Sequence, residues 1–96
     1  MNIRLHPFAE EDLEKALKYY SEVDEALEIR FLKYLDLTFD KILHSPKLYP
    51  FENNFAQKIL VEKFPYVVLY EIYEDIIMVL AIFHTKRNPQ ILIDRE

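Results

Sequence analysis

The 96 residues contain no glycine, no cysteine and no tryptophan. Without glycine there is no glycine-based phosphate loop, because such loops bring backbone closer to a ligand than a Cβ allows. Without cysteine there is neither a disulfide framework nor a thiolate metal site. His6, His44 and His84 stand far apart, and no two share the i,i+4 spacing of a helical metal pair. No metal and no cofactor are expected. No apolar run approaches the roughly 20 residues of a membrane span, and the opening Met-Asn-Ile-Arg-Leu-His-Pro has no signal-peptide core. The expected location is the cytoplasm, without membrane contact. Basic clusters are also scarce. The net charge is −5, and residues 1–40 carry all of it, with 10 acidic and 5 basic side chains; residues 41–96 carry 7 of each. General binding to DNA is not expected, since phosphate contacts need gathered Lys and Arg.

What is present is an apolar chain: 51% of residues are hydrophobic and 15% aromatic, which places it among globular proteins rather than disordered ones. Its length suits one domain over residues 1–96. The organising stretch is Lys63 to Pro89. It holds two apolar runs, Tyr66 to Tyr73 and Ile76 to Phe83, broken only by Glu74-Asp75. Runs of Val, Ile, Leu and Tyr of this length around a two-residue polar break read as a β-hairpin. Strict alternation puts Tyr66, Val68, Tyr70 and Ile72 on one face of the first strand. On the second strand it sets Ile76, Met78, Leu80 and Ile82 against Ile77, Val79, Ala81 and Phe83. Both faces are largely apolar, as in central strands covered on two sides. Helices can cover one face; the C-terminal tail, a second copy or a partner must cover the other. The hairpin runs out into His84-Thr-Lys-Arg-Asn-Pro89, a basic exit from a buried strand.

Upstream, Asn2 to His6 alternates and reads as a strand. Pro7 suits the first helical position, and Glu10, Glu11 and Asp12 sit where a helix dipole favours acids, as a solvated first turn. Leu13, Ala16, Leu17 and Tyr20 make one stripe, with Glu11–Lys15 and Glu14–Lys18 as outward i,i+4 pairs. Ser21-Glu-Val-Asp24 breaks the pattern and resembles a capping signal. A second helix follows from about Asp24 to His44, with Leu27, Phe31, Tyr34, Leu35, Thr38 and Ile42 inward and Leu32 and Phe39 flanking. Two helices on so short a link form an antiparallel hairpin. Ser45-Pro46 ends the second helix. Lys47 to Asn54 is loop, and Phe55 to Glu62 reads as a further strand. The order argues for an α+β fold: an N-terminal strand and a helical hairpin packed on a mainly antiparallel C-terminal sheet.

Ala9-Glu-Glu-Asp-Leu13, Tyr19-Tyr20, Phe31, Leu35, Ile42 to Pro50 (ILHSPKLYP), Lys63-Phe-Pro-Tyr66, Tyr70 and Val79-Leu-Ala-Ile-Phe-His84 followed by Lys86-Arg87-Asn88-Pro89 together resemble the RelE/ParE toxin superfamily of bacterial type II toxin–antitoxin systems. FPY followed by a hairpin and H-x-x-R-x-P looks ParE-like in particular. The resemblance implies a growth-arresting toxin silenced by a cognate antitoxin. Its ParE-like members act on DNA gyrase, and its RelE-like members cleave mRNA on the ribosome. A third reading is an inactive toxin fold that only binds an antitoxin. Fold alone does not separate these. Family members commonly carry arginine in the strand before FPY, where this chain has Lys58 and Lys63, and lysine lacks the bidentate fork. RelE-type nucleases often place a tyrosine close to the C-terminus; this chain has none after Tyr73. Both departures weaken the nuclease reading.

On the nuclease reading, His84 would be the acid or base and Arg87, with Lys58 and Lys86, would steady the phosphate. On the gyrase reading, Lys58, Lys63, Tyr66, Tyr70, His84, Lys86 and Arg87 would contact the target. Each has a plainer reading beside it. His84 can close a strand and bond to backbone, Arg87 can pair with an acid, and Tyr66 and Tyr70 at period two can be core.

Overall fold

The structure, a computed structural model, describes residues 1–86. Six elements follow in order: β1 (Asn2–Leu5), α1 (Pro7–Val23), α2 (Glu25–His44), β2 (Gln57–Leu60), β3 (Tyr66–Tyr73) and β4 (Ile76–His84). The sheet order is β1-β4-β3-β2. β3 is antiparallel to both β2 and β4, and β1 joins β4 in parallel. The expected α+β architecture is present, with the hairpin strands at the centre of the sheet.

Local chemistry sets the helix ends. Pro7 opens α1 at its first turn, and His6 caps it by accepting the Phe8 N–H at Nδ1, 3.1 Å away. α1 does not break at Ser21. The Ser21 hydroxyl donates back to the Lys18 carbonyl at 2.9 Å, and the helix runs on to Val23. Only Asp24 is non-helical between the two helices. Its N–H closes α1 on the Tyr20 carbonyl, and its carboxylate opens α2 by accepting the Ala26 N–H at 3.0 Å. The expected ion pairs Glu11–Lys15 and Glu14–Lys18 are not formed; among the described residues the ion pair within 4.0 Å is Lys58–Glu52. Such exposed i,i+4 pairs contribute only about 0.3–0.5 kcal/mol net of the entropy of ordering two long side chains.

Phe31, Leu35, Thr38 and Ile42 of α2 and Ala16 and Tyr20 of α1 are buried, as their spacing predicts. They pack on Ile59, Tyr66, Val68, Tyr70, Ile77, Val79 and Ile82 of the sheet and on Val61 just after β2. Ile82 corrects the alternation expected for β4. A bulge between Leu69 and Tyr70 in the β3–β4 register pairs Leu69 with Ala81 but Tyr70 with Val79, which leaves Leu80 as the extra residue. The phase of β4 therefore shifts. Ile77, Val79 and Ile82 face the helices, whereas Leu80 and Ala81 join Leu69 and Ala56 in a second cluster on the opposite face, flanked by Phe55, Met78 and Phe83. The expected strand from Phe55 to Glu62 is shorter, because Asn53 turns the chain there by accepting the N–H groups of Phe55 and Ala56. The expected first strand likewise stops at Leu5, since His6 is spent on the helix cap.

A chain without glycine still needs left-handed backbone at two turns. Lys63 (φ 71°) and Glu74 (φ 56°) supply it, each at a cost of about 1–2 kcal/mol. Lys63 reverses the chain between β2 and β3, and Glu74 turns the β3–β4 hairpin.

Tyr70 carries the first prediction. Its ring is fully buried, and its hydroxyl donates to the Pro46 carbonyl at 2.7 Å, so β3 ties down the loop after α2. Burial first, and the neighbouring Tyr49 second, push the Tyr70 phenol up to about 12. The raised value means the folded state keeps a proton that the unfolded chain releases. The stabilisation is complete below the unfolded value near pH 10 and is lost as pH rises towards 12. Tyr70→Phe is expected to cost about 1–3 kcal/mol by leaving the Pro46 carbonyl unpaired and to flatten the alkaline limb of stability against pH. Urea midpoints between pH 8 and 11.5 check both; a variant with an unchanged alkaline limb would refute the assignment.

Candidate functional site

Four of the residues expected to act, Lys63, Tyr66, His84 and Lys86, share one end of the sheet. Tyr66 pairs with His84 across β3–β4, which sets the Lys63-Phe-Pro-Tyr66 turn beside the exit of β4. Backbone bonds fix that junction: the Tyr66 carbonyl accepts the Val61 N–H at 2.9 Å, and the Pro65 carbonyl accepts the Thr85 N–H at 2.8 Å. Lys63 and Lys86 are exposed, and His84 is half-buried. The His84 ring meets Tyr66 edge to face with centroids 5.4 Å apart, and its Nδ1 accepts the Lys86 N–H at 3.2 Å. That bond assigns the proton of the neutral ring to Nε2.

The turn is anchored from beneath by aromatic rings. Phe31 lies 5.1 Å from Tyr66 and 5.2 Å from both Phe64 and Tyr20. Tyr20 in turn meets Phe64 at 5.2 Å. Helical-hairpin packing and the position of Lys63 are therefore coupled through one cluster.

The two expected tyrosines are buried, and Lys58 lies elsewhere. Tyr66 is 2% exposed and Tyr70 0%, so both rings are core and offer no face to a base or a partner in this conformation. Lys58 projects from β2, away from the exit: its register partner is Leu69, three residues beyond Tyr66. Its ammonium is tied to Glu52 at 3.0 Å. Lys58 also borders a groove of about 310 Å³ with Tyr49, Pro50, Ile59, Leu60 and Val67. Arg87 lies outside the described residues. Among the described residues no three His, Cys, Asp or Glu side chains gather as a metal ion would need, and no helix is long and apolar enough to cross a membrane.

Asp12 is the residue that sequence reasoning missed. It reads as part of a solvated acidic turn, yet its carboxylate accepts the Ile82 N–H at 2.9 Å, bridging 70 residues from α1 to the last third of β4. β1 stops pairing at Val79, and His6 donates to the Val79 carbonyl as the last bond along that edge. Asp12 continues the edge protection where β1 ends. Only the bulge brings this amide to it, and a bulge leaves no mark in the hydrophobic pattern. Asp12→Ala is expected to cost about 1–3 kcal/mol, the cost of stranding a part-buried backbone donor. It should also raise amide exchange at Ile82 ahead of the rest of β4. Uniform protection along β4 in the variant would show that the carboxylate is not the cap.

A family model described as the ParE toxin of the type II toxin–antitoxin system parDE matches residues 3–89. The chain belongs to the ParE toxin family. Among solved structures it is similar to a chain of the chromosomal ParDE toxin–antitoxin system from P. aeruginosa, with a TM-score of 0.79 and 13% identity over 90% of this chain and 97% of that one. At that identity the likeness speaks for the fold. No curated protein matches. Membership in a toxin–antitoxin family implies an antitoxin partner.

Proposed function

We propose that this ParE-family toxin arrests growth by binding DNA gyrase through protein–protein contact, and that a cognate antitoxin neutralises it. The observation that carries this reading is the construction of the basic end of the sheet. Lys63 sits on a strained turn, Lys86 follows a strand end, and the backbone bonds of Val61, Tyr66 and Thr85 hold the two segments in register. Cations carried on hydrogen-bonded backbone at the end of a sheet suit recognition of an acidic protein surface. Tyr66 and Tyr70, the tyrosines expected to stack on bases, are in the core.

The deciding experiment adds purified chain to gyrase and follows supercoiling, and in parallel adds it to translating ribosomes and follows mRNA integrity. Inhibited supercoiling with intact mRNA supports the proposal. Ribosome-dependent mRNA cleavage overturns it in favour of the RelE-type reading. Activity in neither assay, with no growth arrest on induction, leaves the antitoxin-binding module.

A further inference from the structure

A second site lies at the start of β2, at the other end of that strand from the Lys63 turn. Gln57 is 3% exposed, and its Nε2 donates to two carbonyls, those of Pro46 and Tyr49, at 2.9 Å each. Only the nitrogen of a carboxamide can give two such bonds, so the orientation of the side chain is fixed. Its Oε1 accepts no hydrogen bond among the described residues, and no enclosed side-chain polar atom among them lacks a partner. Oε1 is therefore open. Gln57 lines a pocket of about 400 Å³ with Lys47, Phe51, Phe55 and Ile72. A deep acceptor whose own amide is fully engaged calls for a donor from outside the chain.

Backbone bonds hold the walls. Phe51 bridges Gln57, and the Glu52 N–H donates to the Ala56 carbonyl at 2.8 Å. Asn53 Oδ1 accepts the N–H groups of Phe55 and Ala56 at 3.0 and 2.8 Å. Both phenyl rings thus stand on one short turn, and Phe51 is 61% exposed. The Pro46 carbonyl takes both Gln57 and Tyr70, which fixes the chain beside Lys47. Lys47 is exposed and makes no ion pair among the described residues. Each wall specifies part of a ligand. The phenyl rings suit the face of a planar ring, Oε1 needs an N–H or O–H, and the ammonium suits an anion. The volume falls in the range of small-molecule sites. We infer that this pocket binds a planar heterocycle with a ring N–H and an anionic substituent, the build of a nucleoside monophosphate. The ring lies against Phe51 and Phe55, the ring N–H donates to Gln57 Oε1, and the phosphate meets Lys47. A single lysine suits a free nucleotide, since a strand needs gathered cations. The site shares no residue with the basic end of the sheet and does not rest on the gyrase reading.

The test uses the full chain and inosine 5′-monophosphate, whose base carries a single donor, the N1–H. Calorimetry should show one site with a Kd of the order of 10⁻⁴ M or tighter. N1-methylation of the probe removes the donor for Oε1 and should weaken binding about tenfold. Inosine, which lacks the phosphate, should bind about tenfold more weakly for want of the Lys47 contact. Phe51→Ala and Lys47→Ala should each cost about tenfold in affinity, with circular dichroism and Tm at wild-type values because both side chains are exposed. Amide shifts on titration should cluster at residues 47–57 and at Ile72. No binding at millimolar probe overturns the inference, because water alone then meets Oε1. Equal affinity for the methylated probe, binding that survives both substitutions, or shifts centred elsewhere does the same. An oligonucleotide bound more tightly through the same residues overturns the assignment to a free nucleotide. A chain that binds the probe yet leaves supercoiling intact refutes only the reading of the basic end.

Discussion

Replacing Phe31 with alanine is expected to remove about 3–5 kcal/mol of folding stability, a large share of the roughly 5–15 kcal/mol that holds a domain together. The ring is fully buried and touches Tyr20, Phe64 and Tyr66 at centroid separations of 5.1–5.2 Å. Its loss would open a cavity bounded by three rings that cannot all move inward, because Tyr66 is fixed by strand pairing and Tyr20 by α1. Aromatic edge-to-face contacts add to the area term. Leu35→Ala, one turn further and equally buried, should cost about 2–5 kcal/mol. Urea midpoints at unchanged m-value measure both. Near-neutral outcomes would show that the buried face of α2 is rotated from the one described. Phe31→Ala should also loosen the Lys63 turn, since Phe64 and Tyr66 on either side of Pro65 rest on the same ring.

The helices, the hairpin and the core stripe were legible because each repeats a simple signal. Phe31, Leu35, Thr38 and Ile42 recur at helical spacing, and the β3–β4 runs are bounded by two polar residues. What was not legible depends on single non-periodic events. The bulge at Leu80 moves Ile82 to the helix face, and alternation alone has no means of placing an extra residue. Asp12 became an edge cap because β1 is only four residues long and leaves β4 uncovered; in the sequence it is one acid among three. Tyr66 and Tyr70 carry the same pattern whether they face solvent or core, and only the packing of α1 and α2 over them separates the two cases. The basic exit was legible as far as Lys86. Lys63 stands on a left-handed turn that no glycine announces.

The sharpest test of how the chain acts sets charge against proton transfer at the end of the sheet. If contact with an acidic surface is the mechanism, reversing both Lys63→Glu and Lys86→Glu should weaken inhibition by about 10²-fold, because like charges set across an interface cost several kcal/mol. Both side chains are exposed, so the fold should survive the change. Arg87→Ala carries the same expectation on its chemistry alone, through loss of the guanidinium fork. His84→Gln should then act modestly, since a glutamine oxygen can still accept the Lys86 N–H that Nδ1 accepts now. If RNA cleavage is the mechanism, the order reverses. Losing the imidazole as acid or base would cost about 10²–10⁴ in rate, while the lysine changes would act chiefly through binding. The measurement is a dose–response of growth arrest for each variant on induction, paired with supercoiling inhibition by the purified chains and with circular dichroism to exclude misfolding. A His84→Gln variant that loses arrest while keeping its spectrum would sink the contact mechanism. A double lysine variant that arrests growth like the wild type would do the same, because it would place target recognition away from the Lys63 turn and the β4 exit.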